Sequence, residues 1–121
     1  MRFIPTLFHG IADYVVGLLV IALPYLLGLG GPSRIFLIVM GLAVLVYSLM
    51  TDYELGIVRF LRVRFHLFLD AIFGVAMLLA PWAFTFPDQA RWPVYIIGAL
   101  AIALALTTEI RELGTADATN N

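Results

Sequence analysis

Charge is missing from four long stretches of this chain. Between Asp13 and Arg34 lie 20 uncharged residues, and three gaps of 17 follow, from Arg34 to Asp52, from Asp70 to Asp88 and from Arg91 to Glu109. At a rise of about 1.5 Å per residue, each run approaches the roughly 30 Å hydrocarbon core of a bilayer. Lipid offers no hydrogen-bond partner to an open strand edge, and the runs lack the alternation of a lipid-facing barrel. They therefore read as transmembrane helices, expected over residues 5–28, 34–51, 62–84 and 92–111. Composition agrees, since only 12% of the 121 residues are charged and 63% are hydrophobic, whereas about a quarter of a soluble domain is charged.

The ends of the runs suggest how the helices connect. Pro5 suits a first helical turn, and residues 28–33 read as a turn with Ser33 as N-cap, which makes helices one and two a tight hairpin. Residues 85–90 form a similar short connection. Residues 52–61 are the one connection with room for a surface segment, and the small polar residues 114–121 are expected to be a disordered tail. Arg2, Arg59, Arg62, Arg64 and Arg111 fall on the side of both termini, and Arg34 and Arg91 on the other, so the positive-inside rule puts both termini in the cytoplasm. The first apolar run is too long for a cleavable signal and contains Asp13, so it reads as a retained helix in the cell membrane. Tyr25, Trp82, Trp92 and Tyr95 fit the outer interface and Tyr53 the inner one. Arg59, Arg62 and Arg64 could also meet anionic head groups.

Several functions are excluded or lose support. The seven basic residues are scattered arginines and the net charge is -1, which leaves no patch for a nucleic-acid backbone. There is no cysteine, hence no disulfide, thiolate metal site or cysteine nucleophile. G-x-S-x-G, H-E-x-x-H and glycine-rich phosphate loops are absent, so an enzyme is not the expected reading.

An internal repeat organises what remains. A shift of 57 residues matches Arg2 to Arg59, Phe8 to Phe65, His9 to His66, Asp13 to Asp70, Gly17 to Gly74 and Pro24 to Pro81. It continues through Arg34 and Arg91, Gly41 and Gly98, and Thr51 and Thr108, with Tyr25/Trp82 and Asp52/Glu109 as conservative pairs. Shared hydrophobicity does not produce matched His, Asp, Gly, Pro and Arg positions. The expected fold is all-α: a four-helix transmembrane bundle within residues 1–113, made of two parallel hairpin repeats over about 2–55 and 59–113. Each unit has an even number of helices, so the halves should be related by a pseudo-two-fold axis along the membrane normal.

The pattern H-x3-D-x3-G-x6-P-W from His66 to Trp82, its copy from His9 to Tyr25, and Thr51-Asp52-Tyr53 resemble the SPW repeat family of small bacterial and archaeal integral membrane proteins. The resemblance runs nearly to Leu113. Leu23-Pro24-Tyr25 and Ala80-Pro81-Trp82 lack the serine that gives the family its name. What the resemblance implies is a multi-pass membrane protein, with no catalytic residue to carry over.

The candidate site comes from the residues themselves. His9, Asp13 and Gly17 are spaced by four and stack along one helix face, as do His66, Asp70 and Gly74. An aspartate inside a membrane costs roughly 2.5–3.5 kcal/mol at its centre, so both should face inward to a partner. Gly17 and Gly74 would admit a close neighbour, with the symmetry axis expected between them, and Gly41 and Gly98 would mark close packing of helices two and four. Thr51-Asp52 and Thr108-Glu109 arrive at the same depth, and an acid at a helix C-terminus calls for a cation; Arg2 and Arg59 are placed to reach these acids or the buried aspartates.

Two pseudo-symmetric networks on the cytoplasmic side, or one merged network, are expected from Arg2, His9, Asp13, Thr51, Asp52, Arg59, His66, Asp70, Thr108 and Glu109. Three roles are open to these residues. The first is polar glue between helices in a structural or accessory protein. The second is a proton or ion pathway through Asp13, Asp70, His9 and His66. The third is a cofactor site, either haem between His9 and His66 or a divalent metal on His9, Asp13, His66 and Asp70. Pro24 and Pro81 are expected to kink helices one and three, beside Tyr25 and Trp82 as interfacial anchors. The bilayer is the expected partner, and self-association or membership of a larger membrane complex stays open.

Overall fold

The structure, a computed structural model, describes residues 2–110. Arg111, the polar tail at 114–121 and the last residues assigned to the second repeat lie outside the described residues. Among the described residues four α-helices follow one another: α1 (Thr6–Leu26), α2 (Gly31–Leu49), α3 (Val63–Ala83) and α4 (Asp88–Thr107). All four are long and apolar enough to cross a membrane. Among the described residues there is no strand beyond two isolated bridges, Ile4 with Thr108 and Thr51 with Leu61.

The helix starts differ from expectation for local reasons. Helix α2 begins at Gly31, because Pro32 fits the first turn, where its missing N–H would have had no partner anyway. Ser33 is therefore inside the helix, and its hydroxyl donates to the Gly30 carbonyl at 2.9 Å instead of capping an N–H. Pro5 is the N-cap of α1, one residue before the first turn. Helix α4 starts at Asp88, four residues earlier than its apolar run, with Pro87 as N-cap and the Asp88 carboxylate in the positive first turn. An apolar run marks what can sit in lipid, and the helix extends past it into charged sequence.

Helices α1 and α3 end in the same way. The Leu29 N–H donates to the Pro24 carbonyl at 2.7 Å and the Phe86 N–H to the Pro81 carbonyl at 3.0 Å. Each bond closes a turn around a left-handed residue, Gly28 (φ 66) in one and Thr85 (φ 52) in the other, which is the Schellman arrangement. Arg34 Nε then donates to the Leu29 carbonyl and Arg91 Nε to that of Phe86. The two matched arginines thus tie down their own connections.

Helix α1 packs along α2, and α3 along α4, while α2 and α3 touch more sparingly. Glycines set the close approach inside each pair. A Cβ on Gly41 would stand 2.7 Å from the Gly17 carbonyl oxygen, and one on Gly98 would stand 2.8 Å from that of Gly74. Gly41 and Gly98 thus lie against the backbone of the neighbouring helix. Gly17 and Gly74, however, face the partner helix of their own pair, which corrects the expectation that the axis runs between them. Eight residues at 3.6 per turn rotate a side chain about 80° around the helix, so Gly17 has left the face that carries His9.

The apolar core fills the half of the bundle toward the two short connections. Val20, Leu37, Met77, Ala90 and Val94 are fully buried there, with Leu29 and Phe86 closing it. Outward faces are apolar too: Leu18, Val39, Leu79 and Trp92 are all exposed. A bundle that is hydrophobic on both sides suits lipid.

Candidate functional site

The opposite half holds the polar residues. The chain entering α1 lies against the end of α4: Phe3 and Ile4 donate to the Thr107 carbonyl, and Glu109 donates to that of Ile4. The chain entering α3 meets the end of α2 in the same pattern, Phe60 and Leu61 donating to Met50 and Asp52 to Leu61. Each start is thereby clipped to a helix of the other pair. This brings His9 beside Thr108 and His66 beside Thr51.

Both threonines fix a histidine Nδ1 as a donor. Thr51 Oγ1 donates to the Tyr47 carbonyl at 2.6 Å and Thr108 Oγ1 to the Leu104 carbonyl at 2.7 Å. A hydroxyl has one proton to give, so each must accept from its imidazole. His9 Nδ1–H donates to Thr108 at 2.6 Å and His66 Nδ1–H to Thr51 at 2.7 Å. The Nε2 atoms are left pointing at the carboxylates.

There the four ionisable side chains converge. His9 Nε2 is 2.6 Å from Asp70 Oδ2 and 3.2 Å from Asp13 Oδ1. His66 Nε2 is 2.8 Å from Asp13 Oδ2 and 3.2 Å from Asp70 Oδ2. The shorter contact of each imidazole thus reaches the other repeat, and the longer one its own helix. All four residues are buried. The two rings stand edge to face with centroids 5.3 Å apart, and a porphyrin between them would hold them further apart, so the haem reading is set aside.

Two tyrosines complete the carboxylate shells. Tyr47 donates to Asp70 Oδ1 at 2.5 Å and Tyr53 to Asp13 Oδ2 at 2.9 Å. Burial, helped by the Asp13 carboxylate, pushes the Tyr53 phenol above its ordinary pKa and keeps it a donor. Tyr47 has no role legible in the sequence, and Tyr53 reads there as an interfacial aromatic within the Thr51-Asp52-Tyr53 segment. The repeat held a signal for both, because their partners 57 residues on are Leu104 and Ile110: a polar group breaks the match where its surroundings keep it.

The remaining expected members lie around this quartet. Arg2 Nη1 donates to the Ala105 and Thr108 carbonyls at 2.7 and 3.0 Å, so the cation expected at this helix end is present and meets the carbonyls. Arg59 donates to the Glu54 and Gly56 carbonyls in the middle connection. Asp52 is buried and Glu109 exposed, on the segments after α2 and α4. At the far end, Pro24 and Pro81 are buried two residues before their helices stop. Tyr25 and Trp82 are exposed beside them, with the Arg34 guanidinium 5.5 Å from the Tyr25 ring centre.

Four apolar helices around a buried His/Asp quartet define a small multi-pass membrane protein. The family model of the SPW repeat domain matches residues 7–108, and the chain belongs to that family. No curated protein and no solved structure matches it.

Proposed function

We propose that this chain is a structural or accessory protein of the cell membrane, in which two parallel hairpin repeats are clamped together by the His9/Asp13/His66/Asp70 quartet. One observation carries the reading: the shortest polar contact of each histidine, on either ring nitrogen, runs from one repeat to the other. In an apolar solvent a shared apolar surface gives little drive for two helix pairs to associate, so interhelical hydrogen bonds and packing must do it. The repeated contacts support a pseudo-two-fold axis along the membrane normal, within one transmembrane domain over residues 1–113. The arginine distribution supports cytoplasmic termini with the quartet near that face. Beyond the quartet the core is closed by Val20, Leu37, Met77 and Val94, which favours a clamp over a proton or ion pathway.

Thermal unfolding of detergent-purified protein tests this. His9→Ala and Asp70→Asn are expected to lower the midpoint well below that of the parent. Variants that melt like the parent end the proposal. Tags on each terminus, probed from either side of sealed vesicles, test the orientation.

A further inference from the structure

We infer that the quartet is a binding site for one divalent transition-metal ion of the zinc class, held by His9 Nε2, His66 Nε2 and the carboxylates of Asp13 and Asp70. One ligand atom from each residue can be chosen so that all lie within 4.8 Å of one another. A tetrahedral ion with bonds of about 2.0–2.1 Å separates its ligands by about 3.3 Å. Two of the nitrogen–oxygen contacts, His9 to Asp13 and His66 to Asp70, are already 3.2 Å. A third, His9 Nε2 to Asp70 Oδ2 at 2.6 Å, needs to open by about 0.7 Å to reach that spacing. A cavity of about 10 Å³ touching both Asp13 and Asp70 gives the carboxylates room to move.

A clamp made only of hydrogen bonds does not account for His66. Its Nε2 is buried and makes no well-formed hydrogen bond; its contacts there are ion pairs, 2.8 Å to Asp13 Oδ2 and 3.2 Å to Asp70 Oδ2. A cation bound among these carboxylates would give that nitrogen a directed partner. The surroundings fit the same occupant. Metal-bound histidines are ordinarily oriented by a hydrogen bond from the other ring nitrogen, and here Thr108 and Thr51 hold both Nδ1–H groups. Tyr53 and Tyr47 occupy Asp13 Oδ2 and Asp70 Oδ1, which leaves Asp13 Oδ1 and Asp70 Oδ2 for the ion. A doubly charged ion between two carboxylates and two neutral imidazoles makes a neutral unit, the form that apolar surroundings accept at least cost. Two imidazoles with two carboxylates select a borderline ion over magnesium or calcium.

The test uses the full chain in detergent, purified without a histidine tag, stripped with chelator and titrated with Co²⁺ and Zn²⁺. Expected are one ion per chain, visible Co²⁺ bands of tetrahedral intensity and their displacement by Zn²⁺, with no competition from excess Mg²⁺. His66→Gln should weaken binding at least 100-fold. Thr108→Val should weaken it about 10- to 100-fold, as loss of an outer partner does, while leaving a tetrahedral spectrum at saturation. Folded parent protein that shows no bands and no stoichiometric ion at millimolar Co²⁺ overturns the site, as does undiminished binding by His66→Gln. If His66→Gln does not fold, Asp13→Asn takes its place under the same criterion. The outcome is separable from the clamp, which stands or falls on the melting of metal-free variants.

Discussion

The Tyr47 hydroxyl donates to Asp70 Oδ1 at 2.5 Å, from the last turns of α2 to the first turns of α3. The position 57 residues on from Tyr47 is Leu104, so this bond has no counterpart in the other repeat. Tyr47→Phe keeps the ring that stacks edge-on against His66 and deletes only the donor. A hydrogen bond to a charged group contributes about 1.5–3 kcal/mol, and that loss is the expected destabilisation in detergent unfolding. Tyr14→Phe, which gives up a neutral bond to the Leu55 carbonyl, should cost less, about 0.5–1.5 kcal/mol.

Helix approach at the glycines is a second point of sensitivity. A methyl group on Gly41 or Gly98 would meet the backbone oxygen of the facing helix at 2.7 or 2.8 Å, and backbone cannot swing aside as a side-chain tip can. Gly41→Ala and Gly98→Ala are expected to destabilise by about 1–3 kcal/mol, the usual range for overpacking. Gly30→Ala is the control, since nothing lies within 4 Å of a Cβ there. Chemical denaturation of the three variants side by side checks the order.

The uncharged runs made the four helices legible, and the 57-residue repeat did the same for the quartet, because both are patterns along the chain. What could not be read was direction. His9 and Gly17 share a helix row, yet one faces the other hairpin and the other faces α2, because the row drifts around the helix by about 80° over two steps. The sequence puts Arg2 near a helix end, but whether a guanidinium there meets a carboxylate or the free carbonyls depends on which atoms the packing leaves exposed. The packing left the Ala105 and Thr108 carbonyls. Tyr47 and Tyr53 were hidden by their type, since a tyrosine near a helix end in a membrane protein is ordinarily an anchor.

The paired turns predict a stabilising change. Gly28 and Thr85 occupy equivalent left-handed positions at the ends of α1 and α3, but a β-branched residue is strained there. The conformation costs an L residue about 1–2 kcal/mol, part of which glycine loses again through the greater freedom of the unfolded chain, about 0.4–1 kcal/mol. Thr85→Gly should therefore gain about 0.5–1 kcal/mol, and Gly28→Ala should lose a similar amount. Thermal midpoints of both variants against the parent decide it.

Coupling across the repeats can be measured at one bond. Thr108 accepts from the buried His9 Nδ1–H, and valine fills the same space without an acceptor. Thr108→Val should cost about 1–3 kcal/mol, the penalty for stranding a buried donor. His9→Ala removes the donor and opens a cavity, so it should cost more. Once the imidazole is gone, the threonine hydroxyl has only its own Leu104 carbonyl to satisfy, so adding Thr108→Val to His9→Ala should cost little further. The double-mutant cycle in metal-free protein should then return an interaction of about 0.5–3 kcal/mol, and the Thr51/His66 cycle a similar value. Additive costs in both cycles would mean that these bonds form without holding the hairpins together.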